Sequence, residues 1–269
     1  GKDLIESFIL SSKINRIIGG RPPNNFTYEL FLDEKGEKIS KSIGNGISVE
    51  DWLEFSPQES LELFMFQNPT RAKRLYFDVI PKMTDEYLKL KKDFEASEVS
   101  EKYKSPIWFL NNEKEFNILE NFSFNMILNL ANVCNAESSE ILWGFIENYY
   151  PDIDRKQFPL IQKLLEYGVE YYKKFVLPKK KYRLPNDLER KGFIKLIQTL
   201  ETLDNKSEAE DIQTKIYEIG MELKFSNLKD WFSGFYQVVL GQEQGPRLGS
   251  FIKFYGIEQT IQLLKEKVK

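Results

Sequence analysis

The chain has no histidine, a single cysteine (Cys134) and, over 269 residues, no methionine before Met65. Each absence excludes something. Without histidine, no signature that depends on an imidazole can be present. A lone cysteine rules out an intramolecular disulfide, argues against a zinc site built from the usual thiolate clusters and suits a reducing compartment. Cys134 is therefore read as a buried, inert thiol. No apolar run is long enough to span a bilayer, and Gly1-Lys2-Asp3-Leu4-Ile5-Glu6 lacks the pattern of a signal peptide, so no membrane is expected as a partner and a cytoplasmic location is. The late first methionine makes Gly1 a poor translation start, and the expectation is a piece of a longer protein.

The residues that are present suffice for two compact domains, since 41% of them are hydrophobic. Helical periodicity dominates. An apolar stripe through Leu4, Phe8, Ile9, Ile14 and Ile17 predicts a first helix ended by Gly19-Gly20. Thr27 to Phe31 alternates and is the best strand candidate, with Asp33-Glu34-Lys35-Gly36 turning the chain back. Short helices are expected over Val49 to Phe55 and Pro57 to Phe66, and a longer one with a solvated, mixed-charge face over Asp85 to Ala96. A polar stretch ending at Pro106 marks a connection. Beyond it, seven segments carry helical periodicity: Phe124 to Val133, Ser139 to Tyr149, Phe158 to Phe175, Asp187 to Leu203, Glu208 to Leu223, Leu228 to Leu240, and Arg247 to Leu264 with Gly256 interrupting. The expected fold is mainly α, with domains over 1–105 and 106–269, the second all-helical with antiparallel neighbours. The aromatics Trp231, Phe232, Phe235 and Trp143 fall on broad apolar faces and are assigned to the core.

Net charge is −3, yet charge is segregated: from Lys173 to Lys195 nine cations stand against Asp187 and Glu189, a local +7 that leaves −10 elsewhere. Such a segment, with Lys179, Lys180, Lys181 and Arg183 at its centre, can steer a polyanion to one face, or can be a solvated linker between Pro178 and Pro185. Arg247 follows Gly245-Pro246 at an expected helix start, where the dipole disfavours a cation, so it calls for a partner. Either an acid such as Glu243 or RNA would serve.

The most specific string is Lys38-Ile39-Ser40-Lys41-Ser42 followed by Gly44-Asn45-Gly46. Two lysines can reach separate phosphate oxygens, two hydroxyls can donate hydrogen bonds, and the glycines permit unusual loop conformations, a combination suited to a leaving pyrophosphate. This string resembles the second signature of class I aminoacyl-tRNA synthetases, KMSKS, with Ile39 in place of methionine. Its flanks, Tyr28 to Asp33, Ser56-Pro57-Gln58-Glu59-Ser60-Leu61 and Ala72 to Pro81, are similar to class I lysyl-tRNA synthetase, and a further stretch, Tyr236 to Gly256 with Leu240 to Arg247 at its centre, resembles that family's end.

The resemblance implies that 1–105 is the end of a catalytic domain with a stem-contact region, and that 106–269 is a helical-cage anticodon-binding domain. It implies attachment of lysine to tRNA(Lys), with lysine and ATP as substrates, Mg2+ accompanying ATP, and DNA not a partner. Lys41 takes the main role at the departing phosphates and Lys38 a supporting one, with Ile39 as apolar anchor and Ser40 and Ser42 positioning; Asp3 is a candidate contact to nucleotide or amino acid. Arg247, Lys179, Lys180, Lys181 and Arg183 are the candidate tRNA contacts, and no metal ligand is assigned. The first signature of the class, HIGH, cannot be here, so the chain is expected to bind tRNA without activating lysine alone. Two rival readings remain at this point: a glutamyl-tRNA synthetase piece, and a non-enzymatic helical RNA-binding protein.

Overall fold

In the computed structural model, residues 2–40, 42–110, 118–119, 122–204, 207–225 and 227–269 are described. They hold thirteen α-helices and two strands of two residues each, a mainly α fold. The chain divides into two compact units, Gly1–Lys114 and Glu115–Lys269.

In the first unit, α1 (Ile5–Ile17) follows the apolar stripe, yet Leu4, Ile9, Ile14, Ile17 and Ile18 remain exposed and only Ser12 is buried. The strand is shorter and later than expected. Pairing begins at β1 (Phe31–Leu32), where β2 (Lys73–Arg74) lies parallel in register Phe31 to Lys73 and Leu32 to Arg74. The core gathers where α2 (Val49–Leu53), α3 (Gln58–Phe66) and α4 (Val79–Ala96) bring together Trp52, Leu63, Phe64, Ile80 and Tyr87. Ser48 and Asp51 start α2 with a reciprocal capping box.

One expectation is corrected in α4. It begins at Val79, not Asp85, because Pro81 falls in the first turn, where a missing N–H breaks no intrahelical bond. Its mixed-charge face is solvated, with Glu86, Lys89, Lys92 and Glu95 exposed, while Ile80, Met83, Thr84, Tyr87 and Leu88 face inward and Lys91 joins them, 1% exposed and 3.4 Å from Glu95. The expected connection at Ser105 also falls inside the first unit, since α5 (Ile107–Leu110) packs on α3 and α4 through the fully buried Ile107.

The second unit is all helix among its described residues: α6 (Phe124–Val133), α7 (Ser139–Tyr149), α8 (Pro159–Tyr171), α9 (Asp187–Leu200), α10 (Ala209–Glu222), α11 (Leu228–Phe235), α12 (Leu248–Tyr255) and α13 (Ile257–Val268). Both α8 and α11 widen into π-type turns, over Tyr172–Val176 and Tyr236–Leu240. The last expected helix is two, broken at Gly256 with φ +108°. Trp143, Trp231 and Phe235 are fully buried, and the Trp231 indole N–H donates to the Ile216 carbonyl at 3.1 Å. α12 lies close against α10. A Cβ on Gly249 would lie 2.2 Å from the Ala209 carbonyl oxygen, and the Gly249 N–H donates instead to the Gln213 side chain at 2.8 Å.

Candidate functional site

The loop after β1 is built from its root upward. β2 holds β1 in place, and the Leu75 N–H donates to the Leu32 carbonyl at 2.7 Å. The chain then turns on Asp33, whose Oδ1 accepts the N–H groups of Lys35 at 3.0 Å and Glu37 at 2.8 Å. Asp33 is 8% exposed, and hydrogen bonds from the Glu37 backbone and the Asn45 side chain hold its carboxyl below the usual range. Lys38 bridges back to Leu32. The Ser40 and Ser42 hydroxyls lie 2.9 Å apart, and Gly44, with φ +68°, returns the chain. Ile39 packs against Gly46, where a Cβ would come within 2.5 Å of the Ile39 Cγ2. Lys38 and Ser42 are exposed and Ser40 half-buried, so a cation and two hydroxyls are presented on a braced turn. Lys41 lies outside the described residues. Asp3 is exposed in a single turn, Lys2–Leu4, and no hydrogen bond or ion pair joins it to a described loop residue.

Two stretches quoted for their resemblance serve as scaffold. Ser56 and Ser60 are fully buried: Ser60 accepts the Trp52 indole N–H at 2.9 Å, and Ser56 lies 2.6 Å from both Ser60 and Thr84. Lys73 stands at the end of α3, donating to the carbonyls of Phe64 and Gln67, with the Phe64 ring 4.7 Å from its ammonium.

The cations proposed for RNA divide. Arg183 is exposed but engaged: its guanidinium makes two bonds to Glu189, at 2.7 and 2.6 Å, and one to Gln237 at 2.6 Å. Glu189, 3% exposed, also closes the capping box of α9 with Asn186. Lys180 donates to the Asn132 carbonyl at the end of α6 and to Asn135 at 2.8 Å, and burial lowers its ammonium to about 8. Lys179 and Lys181 are exposed. The partner of Arg247 is corrected as well: Glu210, in the first turn of α10, takes its Nη1 at 2.8 Å, and not Glu243. That pair is 58% and 68% exposed, the kind of surface contact worth about 0 to 1 kcal/mol. Gly245-Pro246 is fixed beside it, since the Tyr236 hydroxyl donates to the Pro246 carbonyl at 2.7 Å.

Arg247 borders a cavity of about 400 Å³ also lined by Asn125, Asn129, Tyr149, Lys253 and Phe254, with the Tyr149 and Phe254 rings stacked 4.8 Å apart. Neither this cavity nor a role for Asn45, quoted only as the residue between two glycines, was read from the sequence. Asn45 carried a usable signal, an amide side chain between two glycines; the cavity residues named come from three different helices and carried none. Cys134 donates to the Leu130 carbonyl at 2.8 Å, and burial pushes its thiol up to about 11.

A braced lysine and serine loop followed by an all-helical unit fits a synthetase of the first class, and residues 1–114 match the family model described as tRNA synthetases class I (K). Over those residues the chain is similar to that family. It is 45% identical to the lysine–tRNA ligase of Rickettsia bellii (strain OSU 85-389), and 44% to those of Rickettsia felis (strain ATCC VR-1525 / URRWXCal2) and Rickettsia akari (strain Hartford), over 271 aligned positions. Each alignment covers 100% of this chain and 51 to 52% of the relative. The chain thus spans about half the length of the curated relatives it matches. These matches do not favour the glutamyl alternative. Among the described residues no helix is long and apolar enough to cross a membrane.

Proposed function

We propose that this chain supplies the signature loop and the tRNA-holding part of a class I lysine–tRNA ligase acting in the cytoplasm. Lysine's carboxylate attacks the α-phosphate of ATP, pyrophosphate departs, and the activated lysine passes to the terminal ribose of tRNA(Lys). No covalent enzyme nucleophile is needed. What the reaction needs is stabilisation of charge developing on the departing phosphates, and fixed cations and hydroxyls supply it without reorganising. Lys38, Ser40 and Ser42 suit that role by their presentation, and Lys41 shares it by its place in the signature. Mg2+ enters with ATP as part of the substrate, and no protein ligand is assigned to it.

The observation that carries this reading is identity to lysine–tRNA ligases along the whole chain, with the loop signature on a braced turn. In the second unit, the cavity beside Arg247 has the composition for an unpaired nucleotide: stacked rings, amides that can pair with base edges, and a planar cation held only by a surface acid. Lysine-dependent ATP–pyrophosphate exchange tests the proposal. A protein of the relatives' full length carrying this chain should exchange with lysine and not with glutamate, and the 269-residue chain alone should stay at background. Glutamate-dependent exchange, or none from the longer protein, would sink it.

A further inference from the structure

The loop is closed by a side chain outside the lysine and serine signature. Asn45 uses both ends of its amide: Oδ1 accepts the Ser40 N–H at 2.9 Å, and Nδ2 donates to Asp33 Oδ2 at 2.8 Å and to the Lys38 carbonyl at 3.3 Å. The orientation is dictated by chemistry, because a backbone N–H can only donate, and a carboxylate and a carbonyl can only accept. Asp33 spends its other oxygen on the N–H groups of Lys35 and Glu37, while its own N–H donates to the Glu37 carbonyl at 2.8 Å. One path of hydrogen bonds therefore runs from the strand root, through a buried carboxylate and an amide, to the backbone in the middle of the signature. The backbone reaches the root as far as Ile39, whose N–H donates to the Phe31 carbonyl at 3.4 Å; beyond it, the other backbone bonds among the described residues of the turn, from the N–H groups of Ile43 and Gly44 to the Ser40 carbonyl at 3.2 and 3.0 Å, are local.

We propose that Asp33 and Asn45 are positioning residues: a donor–acceptor latch that sets the angle at which the Lys38 to Ser42 loop leaves the strand, and hence where its cations and hydroxyls meet the phosphates. The proposal rests on the reading of this loop as the ATP loop. The latch touches no reacting atom, so its effect is one of orientation, where a displacement of about 1 Å can cost on the order of a hundredfold in rate. Asparagine fits position 45 because it joins a donor and an acceptor on one planar group. Aspartate there would set two carboxylates against each other, and asparagine at 33 would set two amide donors against each other.

The swap of the two side chains provides the test. In Asp33→Asn combined with Asn45→Asp, residue 33 still accepts from Lys35 and Glu37 and now donates to residue 45, whose carboxylate still accepts from Ser40; the one cost is at the Lys38 carbonyl, where the 3.3 Å bond gives way to a contact between two acceptor oxygens. In the intact protein, each single substitution should lower kcat for ATP–pyrophosphate exchange by about 10- to 100-fold with KM for lysine unchanged, and the double substitution should recover most of it. A double variant no better than the worse single, or single variants with normal kcat, overturns the latch. Amide hydrogen exchange in the chain itself separates this outcome from failure of the ligase reading. Ser40 should be protected in the wild type and in the swap and should exchange faster in each single variant; an unprotected Ser40 in the wild type refutes the latch whatever the protein's activity. If Ser40 behaves as expected but the wild-type intact protein shows no lysine-dependent exchange, the ligase reading fails.

Discussion

Two lysine-rich regions look alike in the sequence and are unlike in the structure. In the loop, Lys38 is exposed and makes no ion pair to a described residue, while the backbone beneath it is braced by Asp33 and Asn45. In the segment from Lys173 to Lys195, the cations themselves do the bracing. Arg183 holds Glu189, Lys180 closes the end of α6, Lys195 pairs with Glu222, Lys173 pairs with Glu170, and Arg190 donates to the Val268 carbonyl. A local charge of +7 is therefore not seven charges offered to a polyanion. Net charge fixes the long-range field, whereas the number of cations free to bind is set by which acids and carbonyls the fold brings beside them.

The sharpest way to test that contrast is to remove one cation from each region. Lys41→Ala should slow adenylation by roughly 2 to 4 kcal/mol of barrier with lysine affinity little changed, the loss expected for one fixed donor acting mainly in the transition state. Pre-steady-state adenylation by the full-length protein measures it, and a normal rate with weakened ATP binding would assign Lys41 to the ground state. Arg183→Ala should act on stability instead. It strands a carboxylate that is 4% exposed on its side chain; since Arg183 itself is 40% exposed, the cost should fall below the 3 to 5 kcal/mol of a fully buried pair, at about 2 to 3 kcal/mol. Melting should drop by about 5 to 10 °C at this size. An unchanged melting point with weakened RNA binding would move Arg183 to the RNA side of the comparison.

Arg247 stands between the two regions, paired but exposed. Arg247→Ala should cost roughly 1 to 3 kcal/mol in binding tRNA(Lys) and less against an anticodon-swapped variant. Equal losses on both RNAs would make it a phosphate contact, and no loss on either would leave it the partner of Glu210 alone.

Helix placement in the second unit was legible because 3.6-residue periodicity reports burial on one face, as Leu142, Trp143 and Ile146 of α7 and Trp231 and Phe235 of α11 do. The loop signature was legible because its residues are contiguous. The long-range partners were not. Glu210 lies 37 residues from Arg247, and Asn132 lies 48 from Lys180. No local pattern encodes such a pairing. The buried face of α4 was missed for a different reason: Lys91 buries its stem and pairs with Glu95, so it counts as surface in any residue-type argument while lying inside.

Lys180 allows a check by pH. Its folded value, lowered to about 8 by burial and by Lys267 although Cys134 opposes this, lies below the ordinary 10.5 of an unfolded lysine. Between those values the unfolded chain binds more protons, so this group's contribution to stability must rise with pH from about 8 to 10.5. Cys134, raised from 9.0 to about 11, and Tyr236, raised from 10.0 to about 12, act in the opposite sense over windows that overlap the upper part of this one. The difference between wild type and Lys180→Met isolates the lysine. Denaturation of the two proteins should diverge by about 1 to 2 kcal/mol in favour of the wild type as pH climbs through that window, after discounting the partial exposure of the ammonium. Parallel curves would show that Lys180 titrates as a surface lysine.

The smallest effect on stability should come from Lys179 and Lys181, and it is the most informative about where RNA lies. Both side chains are exposed, and neither makes an ion pair or side-chain hydrogen bond to a described residue. The Lys181 backbone, however, is fixed, its N–H donating to the Gly241 carbonyl at 3.0 Å. Alanine at either position should leave unfolding within about 0.5 kcal/mol of wild type, the usual range for a surface change that breaks no contact. If these lysines meet phosphates, each substitution should also lower the slope of log K against log salt by roughly 1, equally for tRNA(Lys) and for an anticodon-swapped RNA, because a phosphate contact carries no sequence information. Arg183→Ala should leave that slope alone while lowering the melting point. If instead the slope is unchanged by Lys179→Ala and Lys181→Ala, these two lysines are not phosphate contacts, and the cavity beside Arg247 is the proposed RNA contact left to test.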